Sequence, residues 1–195
     1  MPTPRGLWAA TFFFATFTIL AFFPAFAADD IVDAIEQARK AYDSGDMAGA
    51  KQQLDTASQL IGQKNAEGFA KLLPSPLPGW TAQKAEAQAI GAVMFGGAST
   101  ASRTYTNAKG DHVEMSITGD SAMLMQFATL LNNPALAGAM GKLIKVGDLR
   151  AIQNNDGDVI VVVANKFVIH VQGSADAASK LAYANAVDVA ALSKM

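Results

Sequence analysis

Apolar residues recur at steps of three and four over positions 31–42 (Ile31, Ala34, Ile35, Ala38, Ala41, Tyr42), the spacing that lines one face of a helix. Asp29 or Asp30 caps its start, and Ser44-Gly45-Asp46 ends it. A second stripe of Ala50, Leu54, Ala57, Leu60 and Ile61 predicts another helix, from about 47 to 73, and the two form a hairpin. Positions 73–80 read Leu-Pro-Ser-Pro-Leu-Pro-Gly-Trp, and three prolines in five residues forbid helix and favour an extended path. This is the strongest candidate boundary in the chain. Trp80 just after it is expected to pin the start of the following domain into its core.

From Trp80 onward the period changes. Positions 80–89 read either as a weak strand or as a helix, and 91–98 as a glycine-containing loop. Positions 99–107 and 112–118 alternate cleanly, with Asn107-Ala-Lys-Gly-Asp111 as the hairpin turn between them. Gly119-Asp120-Ser121 caps a helix to about 131 carrying Met123, Leu124, Phe127, Leu130 and Leu131, and Asn132-Asn133-Pro134 separates it from a short helical piece over 135–140. Strands follow at 142–146, 149–153, 159–164 and 167–172, with a second turn at Asn154-Asn-Asp-Gly-Asp158. Val159-Ile-Val-Val-Val163 is apolar on both faces, which predicts a central strand, covered on both sides or paired within a dimer. Gly173-Ser174-Ala175-Asp176 opens a terminal helix with Ala178, Leu181, Ala182, Val187, Ala191 and Leu192. The expected class is therefore α+β, a helical hairpin followed by an antiparallel sheet packed with helices. Two successive hairpin-cap-helix units suggest a ββα duplication.

Composition divides the chain again. Seven of the 11 Phe lie in the first 27 residues, where one positive charge at Arg5 precedes the uncharged run 6–23 and Pro24-Ala25-Phe26-Ala27 supplies small residues at the -3 and -1 positions. This is the pattern of a signal peptide cut after Ala27, which directs the mature chain to the periplasm. A retained membrane anchor is the competing reading, disfavoured because acidic Asp29-Asp30 follows at once. The rest carries 14 bases and 17 acids and no basic block. That balance argues against nucleic acid and against a polybasic membrane contact. There is no cysteine, so disulfides, thiolate metal sites, cysteine nucleophiles and a lipid-modified cysteine are all excluded. The organisation expected is 1–27 signal peptide, 28–73 helical hairpin, 74–79 Pro-rich linker and 80–195 α+β domain.

Candidate chemistry is sparse. His112 and Glu114 share a strand face, the beginning of a metal site, but the only other histidine, His170, lies on a different strand. Met123 and Met125 stand about 200° apart around a helix, so they cannot chelate one Cu(I) ion. Gly91–Ser99 has the outer glycine spacing of a phosphate loop but Gly97 in place of its lysine, and Asn154–Gly157 resembles part of a calcium loop whose first and twelfth ligands would be Ile152 and Val163. Ser121 beside Asp120 reads as a helix cap, and no nucleophile has an identifiable base. No catalytic residue, metal site or cofactor is expected. The one candidate for recognition is the apolar triplet Val93, Met94 and Phe95 between glycines. It forms either an exposed partner-binding loop or a plug in which Phe95 closes the sheet edge and Met94 fills a gap.

Tyr42, Gly45-Asp46, Ala50, Leu54 and Ala57 resemble the turn and second helix of a tetratricopeptide repeat over about 25 residues. Leu77-Pro78-Gly79-Trp80, with the alternating strands and two helices after it, resembles the Mog1/PsbP-like α/β sandwich, whose members are small exported or organelle proteins that bind partners. The chain is similar in general outline to uncharacterised bacterial periplasmic proteins. These resemblances imply an exported, non-catalytic binding or scaffolding protein with a protein partner in the cell envelope. A periplasmic carrier of a small apolar ligand or metal ion is the alternative. A cavity between sheet and helices would favour the carrier.

Overall fold

Two helices lead the part of the chain that the computed structural model describes, residues 29–90, 98–119, 138 and 140–195. Helix α1 (Asp30–Asp43) is capped by Asp29, whose carboxylate accepts from the Ile31 N–H, and α2 (Met47–Leu72) by Asp46, which accepts from Gly49. Gly45 between them takes φ +84°, a left-handed conformation that closes the hairpin without the steric cost of a Cβ. The strands are β1 (Trp80–Ala82), β2 (Glu86–Ile90), β3 (Ala98–Asn107), β4 (His112–Gly119), β5 (Lys142–Val146), β6 (Leu149–Gln153), β7 (Val159–Val163) and β8 (Phe167–Gln172). Helices α3 (Ala177–Asn185) and α4 (Val189–Leu192) complete an α+β protein. The leader 1–27, the triplet Val93, Met94 and Phe95, the cap Asp120-Ser121 and the helix expected to about 131 with Met123 and Met125 lie outside the described residues.

All eight strands form one antiparallel sheet in the order β1-β3-β4-β8-β7-β6-β5, with β2 also on β3 so that β1 and β2 share one edge. The ambiguous segment at 80–89 is thus two short strands. The β3–β4 and β7–β8 hairpins stand side by side through β4 and β8. Both predicted Asn-x-x-Gly-Asp turns are built alike. Asn107 Oδ1 accepts from the N–H groups of Lys109 and Asp111 and its amide donates to Asp111 Oδ2; Asn154 does the same with Asp156 and Asp158. In each, the glycine takes φ near +80 to +90°.

Strand alternation sorts the residues as the pleat requires. Ala101, Tyr105, Val113, Met115, Ile117, Val159, Val161, Ile169 and Val171 face the helices with 0% exposure. Ile160 and Val162 on the other face of β7 are only half-buried. β7 is therefore an interior strand with one face fully covered, and its continuous apolar run overstates the covering of the second.

The second helix of the hairpin shares this core. Phe69 of α2 meets Phe167 of β8 edge to face at 5.6 Å, and a Cβ on Gly119 would lie 2.8 Å from both rings. The Pro-rich segment is fastened to the sheet. Pro74 O accepts from Tyr105 Oη (2.8 Å) and Arg103 (3.2 Å), the Leu77 N–H donates to Tyr183 Oη, and Trp80 packs edge to face on Tyr183 at 5.4 Å. Burial pushes the Tyr105 hydroxyl up to about 12, so it stays a donor to Pro74 O across the physiological range.

The β7–β8 turn stores strain. Lys166 N–H donates to Val163 O across Ala164 and Asn165, which have φ of +52° and +54°. An alanine in this conformation costs roughly 1–2 kcal/mol, offset in part by the roughly 0.5–1 kcal/mol that glycine loses in chain entropy. Ala164→Gly is expected to raise stability by up to about 1 kcal/mol, a midpoint rise of roughly 2–4 °C by calorimetry. A lowered midpoint would show that the methyl group earns more in contacts than its backbone loses.

Candidate functional site

The strongest site is a surface that the hairpin leaves uncovered. The two helices meet through alanines, with Ala34 and Ala38 of α1 and Ala50 and Ala57 of α2 all buried. Small residues let the helices approach closely, so the larger apolar side chains are pushed out of the contact. Ile35, Tyr42, Leu54 and Ile61, which the periodicity groups with those alanines, are 43–62% exposed, as are Val32 at 53% and Met47 at 60%.

These side chains share one side of the hairpin. At 100° per residue, Ile35 and Tyr42 are turned by roughly 70° from the alanine pair of α1, and Met47, Leu54 and Ile61 by roughly 50° from that of α2, in the same rotational sense. Because the helices run antiparallel, the same sense of rotation brings both stripes to the same side. Met47, Leu54 and Ile61 are also seven residues apart, so they drift only about 20° per step and make a nearly straight ridge. The exposed ion pairs Glu36–Arg39 (3.0 Å), Arg39–Asp43 (3.7 Å) and Lys51–Asp55 (2.6 Å) border the surface, and Lys64–Asp29 (3.9 Å) joins the far end of the hairpin.

The ridge ends where α2 reaches the sheet. A Cβ on Gly62 would lie 3.1 Å from Ala89 Cβ, one residue before Ile90, whose cross-strand partner is Ala98. In sequence, Val93, Met94 and Phe95 fall between these two residues. The triplet itself lies outside the described residues.

The two histidines are not brought together. His112 Nδ1 pairs with Ser174 Oγ at 2.9 Å, and the same hydroxyl accepts from the His112 N–H while His112 O accepts from Ala175. This ties the start of β4 to the approach to α3. His170 stands on the open face of β8 between Ser116 and Ile160, and the neighbouring Glu114 accepts from Gln172 at 3.1 Å. Among the described residues, no group of three or more His, Asp or Glu could hold a metal ion.

One polar cluster has no counterpart in the sequence reading. Lys180 on α3 is 1% exposed, and its Nζ donates to Asp158 Oδ1 at 2.7 Å and to Asp156 O at 2.8 Å. Desolvation pushes the Asp158 carboxyl up, but hydrogen bonds from Lys180 and Asn154 and the Lys180 charge outweigh it and hold it below the usual carboxylate range. The pair fastens α3 to the second Asn-x-x-Gly-Asp turn. The buried face of α3 is thus Lys180, Tyr183 and Ala184, whereas the expected Ala182 is exposed. In an alanine-rich helix the apolar period does not fix which face turns inward; the only signal was an acidic turn preceding the helix.

No helix among the described residues is long and apolar enough to cross a membrane. Comparisons of the chain with protein-family models, with curated proteins and with solved structures find no match.

Proposed function

We propose that this chain is an exported periplasmic protein that binds a protein partner without catalysing a reaction, and that the helical hairpin is its docking element. The observation that carries this reading is the one-sided apolar surface of Ile35, Tyr42, Met47, Leu54 and Ile61, beside the buried alanines Ala34, Ala38, Ala50 and Ala57 of α1 and α2. Exposed apolar side chains gathered on one side of a monomer mark interaction sites. A ridge of seven-residue spacing beside a parallel stripe suits the apolar face of an amphipathic helix presented by the partner. The apolar triplet Val93, Met94 and Phe95 is a second candidate contact for the partner in this reading.

Leu54→Lys with Ile61→Lys is expected to leave the thermal midpoint within a few degrees of wild type, because neither side chain is in the core, and to abolish capture of the partner. The check is a photo-crosslinking residue at Ser58 in cells, with the crosslinked species identified by mass. A single envelope protein that disappears in the double variant supports the reading. Crosslinking only to a second copy of the chain, or a partner retained by the variant, rejects it.

A further inference from the structure

A cleft of about 490 Å³ opens between sheet and helices at the end of β5, β6 and β7. Its walls are Val146, Leu149 and Val163 from the sheet and Val187, Val189 and Ala190 from the α3–α4 side. Its volume is large enough for a small ligand, and small-molecule sites add a few polar groups to an apolar lining to fix orientation.

The polar side chains on this wall are unequally committed. Asn185 Oδ1 accepts from the Gly147 N–H and its amide donates to Leu181 O, while the Ser193 hydroxyl donates to Ala190 O. Among the described residues, Asp148 is the only charged side chain lining the cleft, is exposed, and takes part in no ion pair. Lys145 and Arg150 pair with each other across the same β-hairpin and are absent from the lining. An apolar trough with one uncommitted carboxylate at its opening complements an apolar chain that ends in a cation. A carboxylate ligand would meet repulsion there, and a neutral alcohol would gain only burial.

We propose that this cleft is a binding site for small alkylammonium ligands, with the apolar body against Val146, Leu149, Val163 and Val187 and the ammonium at Asp148. The site is remote from the Leu54–Ile61 ridge in sequence and shares no residue with it, so it stands or falls independently of the docking surface.

The test is titration of the full mature chain with hexylammonium, 1-hexanol and hexanoate, followed by amide chemical shifts at 147–149 and 187–190. Hexylammonium is expected to bind up to about fivefold more tightly than hexanoate, the size of one exposed charge contact. Asp148→Asn should bring the two within about twofold while hexanol is unchanged, since only the charge contact is lost. Ala190→Phe, at an exposed lining position, should remove binding of all three by filling the cleft without disturbing the core. Absence of saturable binding to the wild-type chain would overturn the proposal. So would a hexylammonium preference that survives Asp148→Asn, or binding that survives Ala190→Phe in a folded variant.

Discussion

Val161→Asp is expected to leave the protein unfolded at 25 °C. Val161 is fully buried at the inner face of β7, with Ala151 opposite it on β6 and Ile169 opposite it on β8, both also at 0% exposure. None of these neighbours can donate to a carboxylate, so the substitution buries an unpaired charge, or a neutral acid lacking partners, and removes a branched side chain as well. Several kcal/mol lost from a total of roughly 5–15 kcal/mol exhausts the margin of an ordinary domain. Far-UV circular dichroism and a thermal melt measure it. Val162→Thr, one residue further on the half-buried face, should stay within about 1 kcal/mol of wild type. A Val161→Asp midpoint within a few degrees of wild type would refute the packing described for β7.

Asp158→Ala should cost about 3–5 kcal/mol, because it strands a Lys180 ammonium whose side chain is 2% exposed with only Asp156 O for a partner. Lys180→Met should cost less, since the Asp158 side chain is 18% exposed and keeps the Asn154 amide. The double variant should be more stable than Asp158→Ala alone, the signature of a charge relieved of isolation. The pH dependence has a definite sign. The Asp158 carboxyl titrates below its unfolded value in the folded chain, so its contribution is fully present above about pH 4 and is lost as pH falls through the lower folded value. The gap between wild type and Asp158→Ala in chemical denaturation should therefore be level from pH 7 to about 5 and narrow below about 4. A gap that widens on acidification, or a double variant no more stable than Asp158→Ala, would show that the pair is not a desolvated contact.

Strand positions were legible because their signals are local. Alternation over 99–107 and 112–118 and the two Asn-x-x-Gly-Asp turns each fix a hairpin within about twenty residues, and β3 to β8 lie within a residue or so of their predicted bounds. The α+β class follows from those strands together with the helical periodicity of 31–61 and the terminal helix. Positions 80–89 were ambiguous because Glu86, Gln88 and four alanines carry little strand preference; pairing with β3 decides them.

The candidate sites were less legible. Periodicity placed Ala34, Ile35, Ala38 and Tyr42 on one stripe of α1 and Ala50, Leu54, Ala57 and Ile61 on one stripe of α2, but a stripe does not state which of its edges is covered. The close alanine contact does, and it turns Ile35, Tyr42, Leu54 and Ile61 outward. The cleft at Asp148 and the Lys180–Asp158 pair lie at opposite ends of β6 and β7, and each depends on segments more than twenty residues apart meeting, which no local pattern encodes. Sequence by itself determined most of the described elements, β3 to β8 and the helical hairpin among them, since hydrogen-bonding period and turn chemistry act over a few residues. Only the tertiary structure decided which apolar surface stays open and which charge is buried, because burial is a property of what packs across a face and not of the face itself.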